Sequence, residues 1–134
     1  MRRVVVTGMG MVSPLASGVP SSWSRLINSE SGINAITSFD VSDLPAKIAG
    51  QVEVGELDGQ FMPDNILSAK ERRRVDDFII YGLAAAQEAV VDSGWLPDRE
   101  EDQFKTGVLI GSGIGGLPEI AKGSLTVDCE SGGG

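Results

Sequence analysis

Thr106-Gly107-Val108-Leu109-Ile110-Gly111-Ser112-Gly113-Ile114-Gly115-Gly116 decides the fold class of this chain. Val108, Leu109 and Ile110 are successive large aliphatics with no alternating polar partner. That is the pattern of a strand covered on both faces, as in a parallel sheet between helices. The strand runs into four glycines within six residues, where backbone or ligand can come closer than a Cβ would permit. A helix is predicted to follow, because Leu117-Pro118-Glu119-Ile120-Ala121-Lys122 puts proline where a first turn tolerates it and glutamate where the helix dipole favours it. Loops at the carboxyl ends of parallel strands are where open α/β sheets bind ligands. Val4-Val5-Val6-Thr7 followed by Gly8-Met9-Gly10 repeats the unit and predicts a second strand of the same sheet.

Composition bounds the function. A chain of 134 residues, 41% hydrophobic and 22% charged, is at most one globular domain. No apolar run approaches the roughly 20 residues of a membrane span, so no membrane association is expected. The net charge of −8 argues against non-specific nucleic-acid binding. One cysteine, Cys129, excludes an internal disulfide, and the absence of histidine argues against a conventional zinc site. The valines after Arg2-Arg3 are too few for a signal h-region, which leaves the cytoplasm as the expected compartment.

Along the chain, residues 21–28 read as a short helix with Trp23, Leu26 and Ile27 on one face. Residues 47–52 read as extended. Residues 53–65, rich in acid, glycine and proline, read as surface loop. Ser68 caps a turn or short helix carrying Lys70, Arg72, Arg73 and Arg74, four of the chain's 11 basic residues. The strongest helix covers residues 76–93, acidic at its start and closed by Gly94. Its middle is apolar nearly all round, which predicts burial in a larger structure or at a subunit interface. Gly82 inside it would need close packing against a neighbour to offset its cost of about 1 kcal/mol. Residues 98–102 read as an acidic loop. After Val127 the periodicity stops, and residues 128–134 read as a divergent tail without structure. The two or three strands before it are fewer than the roughly 5–6 of a mean sheet, so the chain is expected to be the front part of a larger fold.

The residues also carry a family resemblance. Arg3-Val4-Val5-Val6-Thr7-Gly8-Met9-Gly10-Met11-Val12-Ser13-Pro14-Leu15, Glu30-Ser31-Gly32-Ile33, Lys70-Glu71-Arg72-Arg73-Arg74-Val75-Asp76-Asp77-Phe78, Asp92-Ser93-Gly94 and Gly111-Ser112-Gly113-Ile114-Gly115-Gly116-Leu117 occur in the order found in the β-ketoacyl-acyl carrier protein synthases. The chain resembles the type II elongating enzymes of that family over residues 1–127. The resemblance implies an α/β chain, the incomplete first half of a thiolase-like α-β-α-β-α fold, from a parent that is a homodimer. It implies decarboxylative condensation of malonyl-acyl carrier protein with an acyl thioester in fatty-acid elongation, with no cofactor. In the family a cysteine at a helix amino terminus carries the acyl chain and two histidines assist decarboxylation and stabilise the developing charge. Those residues are absent here, so this chain is expected to be inactive alone. Cys129-Glu130-Ser131-Gly132 echoes the surroundings of that cysteine, but Asp128 and Glu130 would disfavour a thiolate. No catalytic residue is assigned.

Two sites carry over by position. Ile114, with Gly113 beside it, matches the family's acyl pocket. Lys70, Arg73 and Arg74 match the basic cluster that meets the carrier protein, acyl- or malonyl-loaded, whose acidity such a cluster complements. Without the resemblance, the same cluster reads as a solvated helix start. Two other functions fit parts of the sequence: a non-catalytic carrier-protein-binding module, and a nucleotide-binding oxidoreductase piece. The latter rests on Gly111-x-Gly113-x-x-Gly116, which matches the dinucleotide pattern but leaves no room for the acid-bearing strand that should follow. Tight strand-to-helix packing accounts for the glycines more simply.

Overall fold

The computed structural model of the protein describes residues 1–131, with side chains described as far as Leu125. Its elements are α1 (Val19–Ile27), β1 (Ile33–Ala35), β2 (Ile48–Gly50), a 3-10 turn (Pro63–Asn65), α2 (Ala69–Arg72), α3 (Asp77–Ser93), α4 (Glu100–Phe104) and α5 (Leu117–Ser131). The two strands pair antiparallel, with Asn34 opposite Ala49. No helix among the described residues is long and apolar enough to cross a membrane.

The longest helix, α3, organises the rest. It starts after extended Asp76, carries Asp77 in its first turn, and ends at Gly94, whose φ of 65° is the left-handed conformation that glycine adopts without penalty. On one side Ile80, only 3% exposed, packs into the small core with Phe61, also 3% exposed. The Tyr81 ring meets Phe61 edge-on at 5.1 Å and 71°. On the other side the amino-terminal segment runs antiparallel along the helix. A Cβ on Gly8 would overlap the Ala89 carbonyl and Ser93, and one on Gly10 would overlap the Ala85 carbonyl, so both glycines permit direct backbone contact.

Two carboxylates of α3 hold that contact in register. The Met9 N–H donates to Asp92 Oδ2 at 2.9 Å. The Met11 N–H donates to Glu88 Oε2 at 2.9 Å, and the Val19 N–H at the start of α1 donates to Glu88 Oε1 at 2.8 Å. One glutamate thus satisfies two backbone donors that no strand or helix partner would otherwise take.

Several expectations are corrected. Residues 4–7 and 108–110 are not paired strands: Val4 is 95% exposed and Leu109 99% exposed. A strand covered on both faces needs neighbours on its edges and helices on its faces, and the described residues supply neither. The helix expected over residues 21–28 forms, as α1, with Trp23, Leu26 and Ile27 exposed, while Ser22 is buried and donates from Oγ to the Ala16 carbonyl at 3.0 Å. Residues 53–65 are not purely surface, because Phe61 enters the core and bridges Val54. The acidic loop becomes α4, with Glu100, Glu101 and Asp102 in a first turn whose dipole favours them. Nothing lies within 4 Å of a Cβ built on Gly82, so the close neighbour expected there is not among the described residues. Helix α5 continues past Val127 to Ser131, since no proline or glycine interrupts residues 124–131. The rest of the expected tail, residues 132–134, and the side chain of Cys129 lie outside the described residues.

Candidate functional site

The basic cluster is built by a four-residue helix and the turn that joins it to α3. Ser68 caps α2 in a reciprocal box: its hydroxyl accepts from the Glu71 N–H at 3.4 Å, and Glu71 Oε2 accepts from the Ser68 N–H at 3.0 Å. The Ser68 side-chain and backbone hydrogen bonds, in that order, hold the Glu71 carboxyl below its ordinary value. The chain then turns through Arg73, with the Arg74 N–H returning to the Glu71 carbonyl at 2.9 Å. The cations do not all face the same way. Arg72 reaches back to Asp64 Oδ1 at 2.5 Å, and its Nε is buried without a hydrogen-bond partner among the described residues. Lys70, Arg73 and Arg74 are exposed and form no ion pair among the described residues. The three positions matched to a carrier-protein contact are therefore the three left facing solvent.

Arg73 stands between two depressions. One, of about 490 Å³, is lined by Phe61, Arg72, Asp77, Ile80 and Tyr81. Burial raises the Tyr81 phenol above its ordinary value, with the Asp77 charge adding to the effect. The other, of about 610 Å³, lies between the starts of α3 and α5 and is lined by Arg73, Arg74, Phe78, Ile79, Gly116 and Ile120 among others. The glycine loop closes one end of this second groove. Gly115 has a φ of 82°, and Gly116 lies so close to Asp76 that a Cβ there would overlap its carboxylate.

The fold thus brings the glycine loop and the basic cluster, about 40 residues apart in sequence, to the amino-terminal end of α3. The residues expected to line an acyl pocket are placed differently from a closed pocket. Ile114 is 75% exposed, and a Cβ on Gly113 would meet nothing. The dinucleotide reading gains no support, because α5 follows Gly116 directly and no strand comes after it among the described residues. Sequence reasoning missed Glu88 and Asp92 as anchors of the amino-terminal segment. Their signal was available: two acids at i and i+4 on a helix otherwise apolar in its middle.

Comparison with known proteins decides the relationship. The family model described as "Beta-ketoacyl synthase, N-terminal domain" matches residues 1–130. The chain belongs to this family. Within it, the chain is 52% identical over 128 residues to 3-oxoacyl-[acyl-carrier-protein] synthase 2 of Rhizobium meliloti (strain 1021), covering 95% of this chain and 30% of that protein. It is 41% identical over 143 residues to the mitochondrial 3-oxoacyl-[acyl-carrier-protein] synthase of Arabidopsis thaliana, covering 96% of this chain and 30% of that one. Among solved structures, the ishigamide ketosynthase/chain length factor superposes with a TM-score of 0.58 at 32% identity, covering 71% of this chain and 22% of that one. This synthase domain therefore has a partial thiolase-like α/β fold and spans about 30% of the length of those synthases. The match reaches residue 130, three residues beyond the resemblance read from the sequence.

Proposed function

We propose that this chain is the amino-terminal part of a 3-oxoacyl-acyl carrier protein synthase of fatty-acid elongation. The whole enzyme would condense malonyl-acyl carrier protein with an acyl thioester, losing carbon dioxide and forming a new carbon–carbon bond. The observation that carries the reading is the match over residues 1–130, joined to the convergence of glycine loop and basic cluster on one end of α3. In this reading Lys70, Arg73 and Arg74 orient an acidic carrier protein, and Ile114 with Gly113 touches the acyl chain once the rest of the pocket is in place. The exposed aliphatics of residues 4–6 and 108–110 are strands of the parent's sheet, and the parent is a cytoplasmic homodimer. The nucleophilic cysteine and two histidines of the family are not among these residues, so the chain alone forms no ketoacyl product.

A chimera tests this. These 134 residues replace the matching first part of the Rhizobium synthase, and condensation is assayed with acyl- and malonyl-acyl carrier protein. Activity is expected, with Ile114→Phe lowering turnover of longer acyl donors more than shorter ones. A folded but inactive chimera would overturn the reading. A second reading, a module that binds carrier protein without catalysis, is favoured by the exposure of Lys70, Arg73 and Arg74, which form no ion pair among the described residues. It predicts that the chain alone retards labelled carrier protein at low salt and releases it as salt rises.

A further inference from the structure

We infer that Asp76, ahead of α3, is a positioning residue for the acyl pocket: its carboxylate seats the glycine loop at Gly116, and so sets where Ile114 stands and which acyl chains the site accepts. The inference rests on the synthase reading above and deepens it at Gly113 and Ile114.

Two helix starts meet at this contact. The Asp76 carbonyl accepts from the Ile79 N–H at 3.0 Å as α3 begins, and the Gly116 carbonyl accepts from the Ile120 N–H at 3.1 Å as α5 begins. An aspartate in the place of Asp76 ordinarily turns a side-chain oxygen onto the first amides of its own helix. Asp76 makes no such hydrogen bond. Its carboxylate lies instead against Gly116, where an added Cβ would overlap Oδ2 and Cγ and stand 3.3 Å from the Asp76 Cβ. The Phe78 ring comes within 3.9 Å of a Cβ built on Gly115. Farther up the loop such contacts end. A Cβ on Gly111 or Gly113 would meet nothing within 4 Å, and residues 111–114 are exposed while Gly115 and Gly116 are half-buried. The loop is therefore held at its last two glycines, and Ile114 is the next residue out. Only two planar peptide units join Ile114 to Gly116, so a displacement at the seat is carried to the pocket residue.

The test uses the Rhizobium chimera described above, where the remainder of a synthase is present, and reads kcat/KM for a long and a short acyl donor. Gly116 has no left-handed φ, so an alanine there strains this contact and not its own backbone. Gly116→Ala should change the long-to-short ratio about tenfold, the selectivity that one methylene of misfit carries. Asp76→Glu presses on the same contact from the α3 side, should also change the ratio, and reads the contact if Gly116→Ala does not fold. Removing the carboxylate makes room, so Gly116→Ala/Asp76→Ala should return the ratio to within about twofold of the unsubstituted chimera. Gly123→Ala, in α5 where an added Cβ meets nothing within 4 Å, should leave it unchanged. Lost turnover with an unchanged ratio in both Gly116→Ala and Asp76→Glu would make the contact structural only and overturn the inference. So would a double variant as altered as Gly116→Ala, since the strain would then lie elsewhere. In either case an active unsubstituted chimera leaves the synthase reading standing. A folded unsubstituted chimera without activity overturns that reading and this inference together.

Discussion

At Gly10 the backbone runs so close to α3 that an added Cβ would overlap the Ala85 carbonyl, whereas at Gly82, inside α3 itself, it would meet nothing within 4 Å. One substitution should therefore act in opposite directions. Gly10→Ala forces the first segment off the helix, and such overpacking costs about 1–3 kcal/mol. Gly82→Ala removes a flexible residue from a helix interior and should stabilise by about 1 kcal/mol. Urea unfolding followed by circular dichroism reads both midpoints. A destabilising Gly82→Ala would show that a neighbour packs there in solution. The Gly8-Met9-Gly10 unit was legible as close packing in the sequence because glycine is the residue that permits it. Which helix it packs against was not, because that depends on a partner about 80 residues away.

At the scale of elements, α3 and the amino-terminal segment are one unit because Glu88 accepts from both Met11 and Val19. Glu88→Ala leaves both N–H groups without that acceptor, at a cost of about 1–2 kcal/mol given their partial exposure. Amide exchange at residues 11 and 19 should accelerate together. Unchanged exchange would show that the contact is not held by this side chain. Glu88→Gln keeps one acceptor oxygen and should release only one of the two amides. The cap of α2 makes a pH prediction. The folded-state Glu71 carboxyl lies below its ordinary 4.5, so the cap contributes fully above that value and is lost as pH falls through the depressed folded value. In Ser68→Ala the Glu71 carboxyl should rise part of the way back, since the residue-68 N–H still donates to it, as followed by carboxyl-carbon resonance. A titration unmoved by the substitution would remove Ser68 as the cause. The helix was legible in both cases, from Ser68 with Glu71 three residues on and from Asp76 with Gly94. The side-chain acceptors across the fold were not.

At the scale of the whole molecule, the accessible surface is 10847 Å² for a chain of 14.0 kDa. A compact monomer of that mass exposes roughly 6,700 Å², so about 4,000 Å² more is open than its size requires. Much of it is apolar: residues 4–6, 108–110, the Trp23 face of α1, and Val90 and Val91 of α3. Patches of this extent mark surfaces that expect a cover. The isolated chain should bind a hydrophobic dye strongly and self-associate with rising concentration. Light scattering and dye fluorescence check this, and a dye-silent monomer with a sharp two-state melt would contradict it.

Local order in the chain was enough for the family, the α/β class, the α3 helix with its closing Gly94, and the run of basic residues before it. Each is written in local order: apolar period, cap residues, glycine spacing and a run of like charge. Tertiary structure alone decided that Val108, Leu109 and Ile110 stand uncovered, since burial depends on neighbours rather than on the strand's own residues. It alone decided that Arg72 turns inward to Asp64 while Arg73 and Arg74 face out, and that the Asp76 carboxylate lies against Gly116 of the glycine loop. Side chains far apart in the chain meet only through the packing of helices, and no local pattern encodes that meeting.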